Sequence, residues 1–302
     1  MKVLIIGYGE MGHAMESLLG QHHDLGIWNR HPVAGVTAVD LDAAATVADI
    51  VIYCIPVVPL AAMSCRVLPH LRDDSLSLII AKGLDADGRT APQVLQAVYG
   101  DRQAYAALFG PMIAEELSVG RPGFAQLGMQ RAAYFSRVVQ LFAGGPLYLE
   151  ASTDIIGSAW SCVLKNVYAI LVGAADALML GNNVRGYLMM TAIEEMRRIV
   201  TSLGGSATTC LQLPGLGDLV ATATSPDSHH HALGGQLARG ETEYLSGEGI
   251  HTLEMVGKQG LFDRHDYPLF NLVYTIVTDP VDIESRITGF IAQQFNYQAT
   301  SD

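Results

Sequence analysis

Along the first 150 residues, short uninterrupted apolar runs alternate with stretches whose apolar positions recur at helical spacing. A strand apolar on both faces has no solvent side, so this alternation predicts a parallel sheet covered by helices above and below. Strands are expected at residues 2–6, 25–28, 50–55, 76–81 and 104–109, followed by a shorter pair at 124–127 and 147–150. Gly7, Pro56, Lys82-Gly83 and Gly110-Pro111 directly follow four of these runs, which places them at the carboxyl edge, where such sheets bind ligands. From about residue 150 the pattern becomes purely helical, with 155–180 and 187–203 each able to span several turns. The expected division is a sheet domain, 1–150, and an all-helical domain, 151–302. Residues 214–249, glycine-rich and polar, read as a long connection and hence as a functional loop. No internal repeat, low-complexity tract or charge block is visible.

The first strand runs straight into Gly7-Tyr8-Gly9-Glu10-Met11-Gly12, with a helical stretch at 13–19 behind it. In that order the first glycine permits a tight turn, the second lets a pyrophosphate approach the backbone, and the third lets helix pack on strand. The N–H groups around Glu10 and Met11 then face the phosphates. The fold class expected is therefore α/β, an N-terminal Rossmann-type doubly wound parallel sheet followed by an all-helical C-terminal domain. At the end of the second strand, where NAD binders carry an acid for the ribose, the chain reads Trp28-Asn29-Arg30-His31. Arg30 suits a 2′-phosphate, which favours NADP and leaves NAD open; a solvated surface charge is the other reading of this arginine.

Composition narrows the class. With 302 residues, 50% of them hydrophobic, a large core is available, and the net charge of −12 removes the positive surface that nucleic acid requires. No nucleic acid and no membrane are expected as partners. The most lipid-like stretch, 163–180, carries Lys165, Asn166 and Asp176, which fits a buried helix better than a membrane span. The apolar run at 1–7 is too short for an export signal, and Cys54, Cys65, Cys162 and Cys210 lack CxxC or disulfide-dense spacing. A cytoplasmic location is the expectation, and the apolar helical part suits a homodimer face.

Several short strings together resemble the bacterial NAD(P)-dependent glycerol-3-phosphate dehydrogenase family. They are Lys82-Gly83, Gly110-Pro111-Met112-Ile113-Ala114-Glu115-Glu116, Leu164-Lys165-Asn166-Val167, Gly181-Asn182-Asn183-Val184-Arg185 and Gly215-Leu216-Gly217-Asp218-Leu219. The likeness runs from Gly7 to Gly249. It implies an oxidoreductase of glycerophospholipid metabolism that moves a hydride between NAD(P)H and dihydroxyacetone phosphate or a related small ketone. It implies Lys165 as general acid/base, Asp218 as a catalytic carboxylate, and Lys82 in contact with both cofactor and substrate. Asn166 would orient Lys165, with Thr222 one turn beyond Asp218. Glu248 and Ala114 would touch the cofactor, while Gly110, Met112, Ser228, His229 and His230 would face the substrate. Without the family, Lys165 also reads as a snorkelling surface lysine, Lys82 and Glu248 as loop charges, and Asp218 as a turn former.

Two positions depart from the family. Where it has Ser-Arg-Asn, this chain has Ser228-His229-His230, continued by His231; where it has Gly-Pro-Ser-Phe-Ala, the serine is Met112. Arginine offers a permanent charge and a fork of donors matched to phosphate, which neutral histidine lacks. Three readings follow. A protonated His229 still grips phosphate; or the pocket takes a different small hydroxy compound, carrying a carboxylate or an apolar group that Met112 covers; or the histidines bind metal. Adjacent residues poorly aim three rings at one ion, so a solvated histidine loop is preferred to the metal site. A rival class is a nucleotide-binding regulator that kept the fold and lost turnover.

Overall fold

A computed structural model describes residues 1–225, 228–243 and 245–296. Seven strands form one sheet: β1 (Lys2–Ile6), β2 (Asp24–Trp28), β3 (Ile50–Tyr53), β4 (Leu76–Ile79), β5 (Ala104–Phe109), β6 (Gly123–Met129) and β7 (Leu147–Ser152), in the order β2-β1-β3-β4-β5-β6-β7. The strands β1 to β5 are parallel, as their two-sided apolar character dictates. Side chains alternate between faces. Val3 and Ile5 pack with the helices Glu10–Leu19 and Ala133–Leu141, while Leu4 and Ile6 pack with Leu41–Val47, Leu60–Val67 and Ala91–Tyr99.

The wholly parallel sheet expected from the apolar runs needs one correction. β6 is antiparallel to β5, and β7 runs parallel to β6. The link from β5 to β6 holds only the five-residue helix Ala114–Ser118, so the chain returns from the edge it had reached instead of crossing the sheet. The ladders of β3 and β4 also stop at Tyr53 and Ile79, short of the expected 55 and 81. Residues 54–56 and 80–82 turn out of the sheet at its carboxyl edge.

Behind β7 comes the helix Ile155–Ala177, here called the central helix, buried from Gly157 through Ala175 and capped by Asp154. It is apolar and long enough to cross a membrane, yet 89% of its most apolar window is buried inside the protein. Its neighbours include Asn182–Ser202, His229–Ala238, Glu248–Gln259 and Pro268–Thr278. Segment 214–249, expected as a loop, is instead largely helical: a π-turn at Leu213–Gly217, then Asp218–Thr224 and His229–Ala238. Its glycines serve close packing, not flexibility. A methyl group on Gly234 would lie 1.9 Å from the Ile170 carbonyl oxygen, and one on Gly173 would lie 2.0 Å from that of His231. Two helices therefore touch backbone to backbone, which fixes the histidine run against the central helix about two turns beyond Lys165.

Candidate active site

The cleft begins at the glycine turn. Gly7 has a φ of 97°, and its N–H donates to the Trp28 carbonyl at 2.9 Å. A methyl group there would lie 2.5 Å from the Cys54 carbonyl oxygen, and one on Gly12 would lie 2.4 Å from that of Gly7. These two glycines let turn, strand and helix close on one another. Gly9 differs: a methyl group on it meets none of the described residues within 4 Å, because it opens with Glu10 and Met11 on the cleft. That open cradle at the N-terminus of Glu10–Leu19 fits a pyrophosphate. Asn29 Oδ1 accepts from the Tyr8 N–H at 3.1 Å, so the residue after Trp28 holds the turn, and Arg30 stands exposed beside it.

Opposite the turn, two lysines share one carboxylate. Lys82 leaves the end of β4 and donates from Nζ to the Gly110 carbonyl at 2.8 Å and to Asp218 Oδ2 at 2.6 Å. Gly110 sits where β6 comes so close that a methyl group would lie 2.5 Å from the Phe124 carbonyl oxygen. Lys165, 5% exposed on the central helix, lies 3.2 Å from Asp218 Oδ1 and donates to Thr222 Oγ1. Asp218, 2% exposed, begins Asp218–Thr224, which sets Thr222 one turn on at 3.4 Å from Oδ1. Asn166 Nδ2 reaches the Lys82 carbonyl at 3.4 Å, tying the central helix to the sheet edge.

Burial of so many charges is tolerable only because they are paired. Desolvation brings the Lys165 ammonium down to about 8; Asp218 works against that shift and Lys82 adds to it. Each ammonium has three N–H groups and two acceptors among the described residues, which leaves one donor of each without an acceptor there.

The cleft encloses about 440 Å³. Met112 and Ala114 form part of its sheet-side wall, both buried in the core that backs the turn. Glu248 lies so near Gly83 that a methyl group there would come within 1.9 Å of its Oε2; burial pushes its carboxyl up, and His251 partly opposes this. Ser228 lines the cleft but also N-caps His229–Ala238, its Oγ accepting from the His231 N–H at 3.2 Å. The three histidines diverge. His229 Nε2 is 2.8 Å from the Ser246 carbonyl, His230 Nε2 accepts from the Gly249 N–H at 3.2 Å, and His231 Nε2 is 2.9 Å from Asp176 Oδ2. Among the described residues no cluster of three metal-ligating side chains occurs.

Of the residues expected from sequence, Gly9, Glu10, Met11, Lys82, Met112, Ala114, Lys165, Asn166, Thr222, Ser228, His229, His230 and Glu248 line this one cleft. Gly7, Gly12, Gly110 and Asp218 stand behind its surface, and Arg30 is not on its wall. Cys54, Ile55, Ile80 and Ala81 also line it and were not anticipated; Pro56, which the sequence already sets at the carboxyl edge, lines it with them. Their signal was present: they sit where the apolar runs of β3 and β4 end, at the carboxyl edge.

A dinucleotide cradle facing a lysine–aspartate–lysine cluster across a sheet-to-helix cleft defines a nicotinamide-dependent oxidoreductase with a Rossmann-type sheet and a helical second part. Comparison with known proteins narrows the class. Residues 35–134 match the family model described as NAD-dependent glycerol-3-phosphate dehydrogenase N-terminus, and residues 154–288 match its C-terminus. A glycerol-3-phosphate dehydrogenase (NAD(P)+) of Agrobacterium fabrum is 30% identical over a 313-residue alignment covering 95% of each chain. One from Acaryochloris marina is 33% identical, with 86% of each chain covered. The crystal structure of glycerol-3-phosphate dehydrogenase from Coxiella burnetii has the same fold, with a TM-score of 0.85 at 23% identity over 96% of this chain and 98% of that one. The chain belongs to this family, oxidoreductases that act on CH–OH groups with a nicotinamide cofactor.

Proposed function

We propose that the protein reduces a small ketone of the dihydroxyacetone type, phosphorylated or not, with NAD(P)H, and that Lys165 is its general acid/base. The observation that carries this reading is one buried carboxylate, Asp218, held between the ammonium groups of Lys82 and Lys165 just behind the cleft wall. When bound, the reduced nicotinamide supplies a hydride to the carbonyl carbon; overall, ketone, NAD(P)H and a proton become the secondary alcohol and NAD(P)+. The protein's part is to hold the oxygen and move the proton. The remaining N–H of Lys165 donates to the carbonyl oxygen and transfers its proton as alkoxide character develops; Thr222 and Asp218 keep the amine aimed. Lys82, fixed by Gly110 and Asp218, stabilises the same developing charge with its own remaining N–H. Asn166 holds the central helix against the Lys82 strand end and so fixes the distance between the two lysines.

On the cofactor side, Gly9, Glu10 and Met11 take the pyrophosphate, with Ala114 and Glu248 further along the cleft. The lack of an acid after Trp28 and the exposed Arg30 support NADP over NAD, since the Asn29 side chain is already committed to the Tyr8 N–H. In this reading residues 1–150 carry the dinucleotide and 151–302 the substrate, in a cytoplasmic enzyme whose apolar helical part suits a homodimer. The test is to follow nicotinamide absorbance with NADPH or NADH and both dihydroxyacetone phosphate and dihydroxyacetone. Turnover of either supports the reading. Tight NADPH binding with no turnover of any small ketone contradicts it and favours the regulator.

A further inference from the structure

The end of the cleft that departs from the family can be read from its hydrogen bonds. A carbonyl oxygen only accepts, so His229 Nε2, 2.8 Å from the Ser246 carbonyl, must carry a proton. In the neutral ring Nδ1 is then a bare acceptor. A backbone N–H only donates, so His230 Nε2, which accepts from Gly249, must be bare. Its Nδ1 therefore carries the proton, has no partner among the described residues, and is not sealed in the interior. The His230 ring cannot become cationic without breaking its bond to Gly249. Burial, with Lys165, His229 and Lys82 nearby, brings its acidity in line with this, down to about 3.

We propose that His229 and His230 form an acceptor–donor pair that reads a terminal hydroxyl of the substrate, so that the pocket takes an unphosphorylated polyhydroxy ketone or its alcohol. This rests on the reductase reading above. A hydroxyl both donates and accepts, matching one bare and one protonated ring nitrogen; a phosphate dianion only accepts and would face the His229 lone pair. The remaining charge does not favour a dianion either. Two ammonium groups and the Asp218 carboxylate leave one net positive charge, and both ammoniums are tied to that carboxylate. The N-terminus of His229–Ala238 adds partial positive charge, one of its N–H groups, that of His231, being held by Ser228 Oγ. Met112, buried where the family carries a serine, offers no donor.

The experiment measures kcat/KM with saturating NADPH for dihydroxyacetone and for its phosphate, in the wild type and in the His229→Arg, His230→Asn double variant. The expected result is a preference of about tenfold or more for dihydroxyacetone in the wild type, reversed in the double variant, where a fork of charged donors returns. A tenfold preference of the wild type for the phosphate overturns the inference and leaves the reductase reading standing. Absence of turnover with both ketones overturns the reductase reading, and nitrogen NMR at pH 7 then judges the inference. His230 protonated on Nδ1 alone, shifted by glycerol and indifferent to inorganic phosphate, supports it. A doubly protonated His230, or a shift with phosphate only, overturns it.

Discussion

The two walls of the cleft are built on different principles. The cofactor wall is mostly backbone: Gly7 and Gly12 remove side chains so that main chain can close on main chain, and Gly9 leaves a space that none of the described residues fills. The opposite wall is made of side chains, and its chemistry depends on partners far apart in sequence: Lys82 on Asp218, Lys165 on Thr222, His230 on Gly249. A backbone cradle recognises the shape shared by all dinucleotides. A side-chain wall can be re-specified one residue at a time.

The largest effect should come from the side-chain wall. Lys165→Ala removes the proton donor, so kcat should fall by roughly 10²–10⁴-fold while the NADPH dissociation constant stays within about twofold. Equal losses in both would move Lys165 from chemistry to architecture. The cofactor wall should split by position. Gly9→Ala adds a methyl group that meets none of the described residues within 4 Å in the free protein, so thermal stability should hold while cofactor affinity drops by about tenfold or more. Gly7→Ala places a methyl group 2.5 Å from the Cys54 carbonyl at a φ of 97°, and should cost about 1–3 kcal/mol of stability. If both variants merely unfold, the contrast between cradle and scaffold is wrong. Thr222→Val should be milder, with kcat lowered by about tenfold as the Lys165 ammonium loses an acceptor. Arg30→Ser should have the smallest effect, weakening NADPH by a few-fold and leaving NADH unchanged, about what one exposed charge on a phosphate supplies. Loss of both cofactors equally would remove Arg30 from cofactor choice.

The same contrast explains what could be read without coordinates. The strands and the glycine turn were legible because burial on both faces and the geometry of a tight turn each demand a narrow set of residues, as at Lys2–Ile6 and Gly7. Lys82, Lys165 and Asp218 were found through their short motifs, but nothing local says that two lysines share one carboxylate: Lys82 and Asp218 are joined only by the return of the chain from the helical part. The segment 214–249 reads as a long connection because it is glycine-rich and polar, whereas Gly215 and Gly234 permit backbone contact with Cys210 and Ile170. Histidine identity at positions 229 and 230 was visible; which ring nitrogen carries the proton was not, since that depends on Ser246 and Gly249.

The central claim is that Lys165, depressed to about 8 by burial beside Asp218, carries the proton of the reaction. The sign follows from the chemistry: reduction needs the charged amine and oxidation the neutral one. Measured in both directions on one enzyme preparation, kcat for ketone reduction should be flat below about pH 8 and fall about tenfold per unit above it, while alcohol oxidation rises to a plateau across the same midpoint. Thr222→Val, which removes a hydrogen bond to the charged form, should move both midpoints to lower pH. Profiles that are flat from pH 6 to 10, or a midpoint that Thr222→Val leaves unmoved, would contradict the assignment of Lys165.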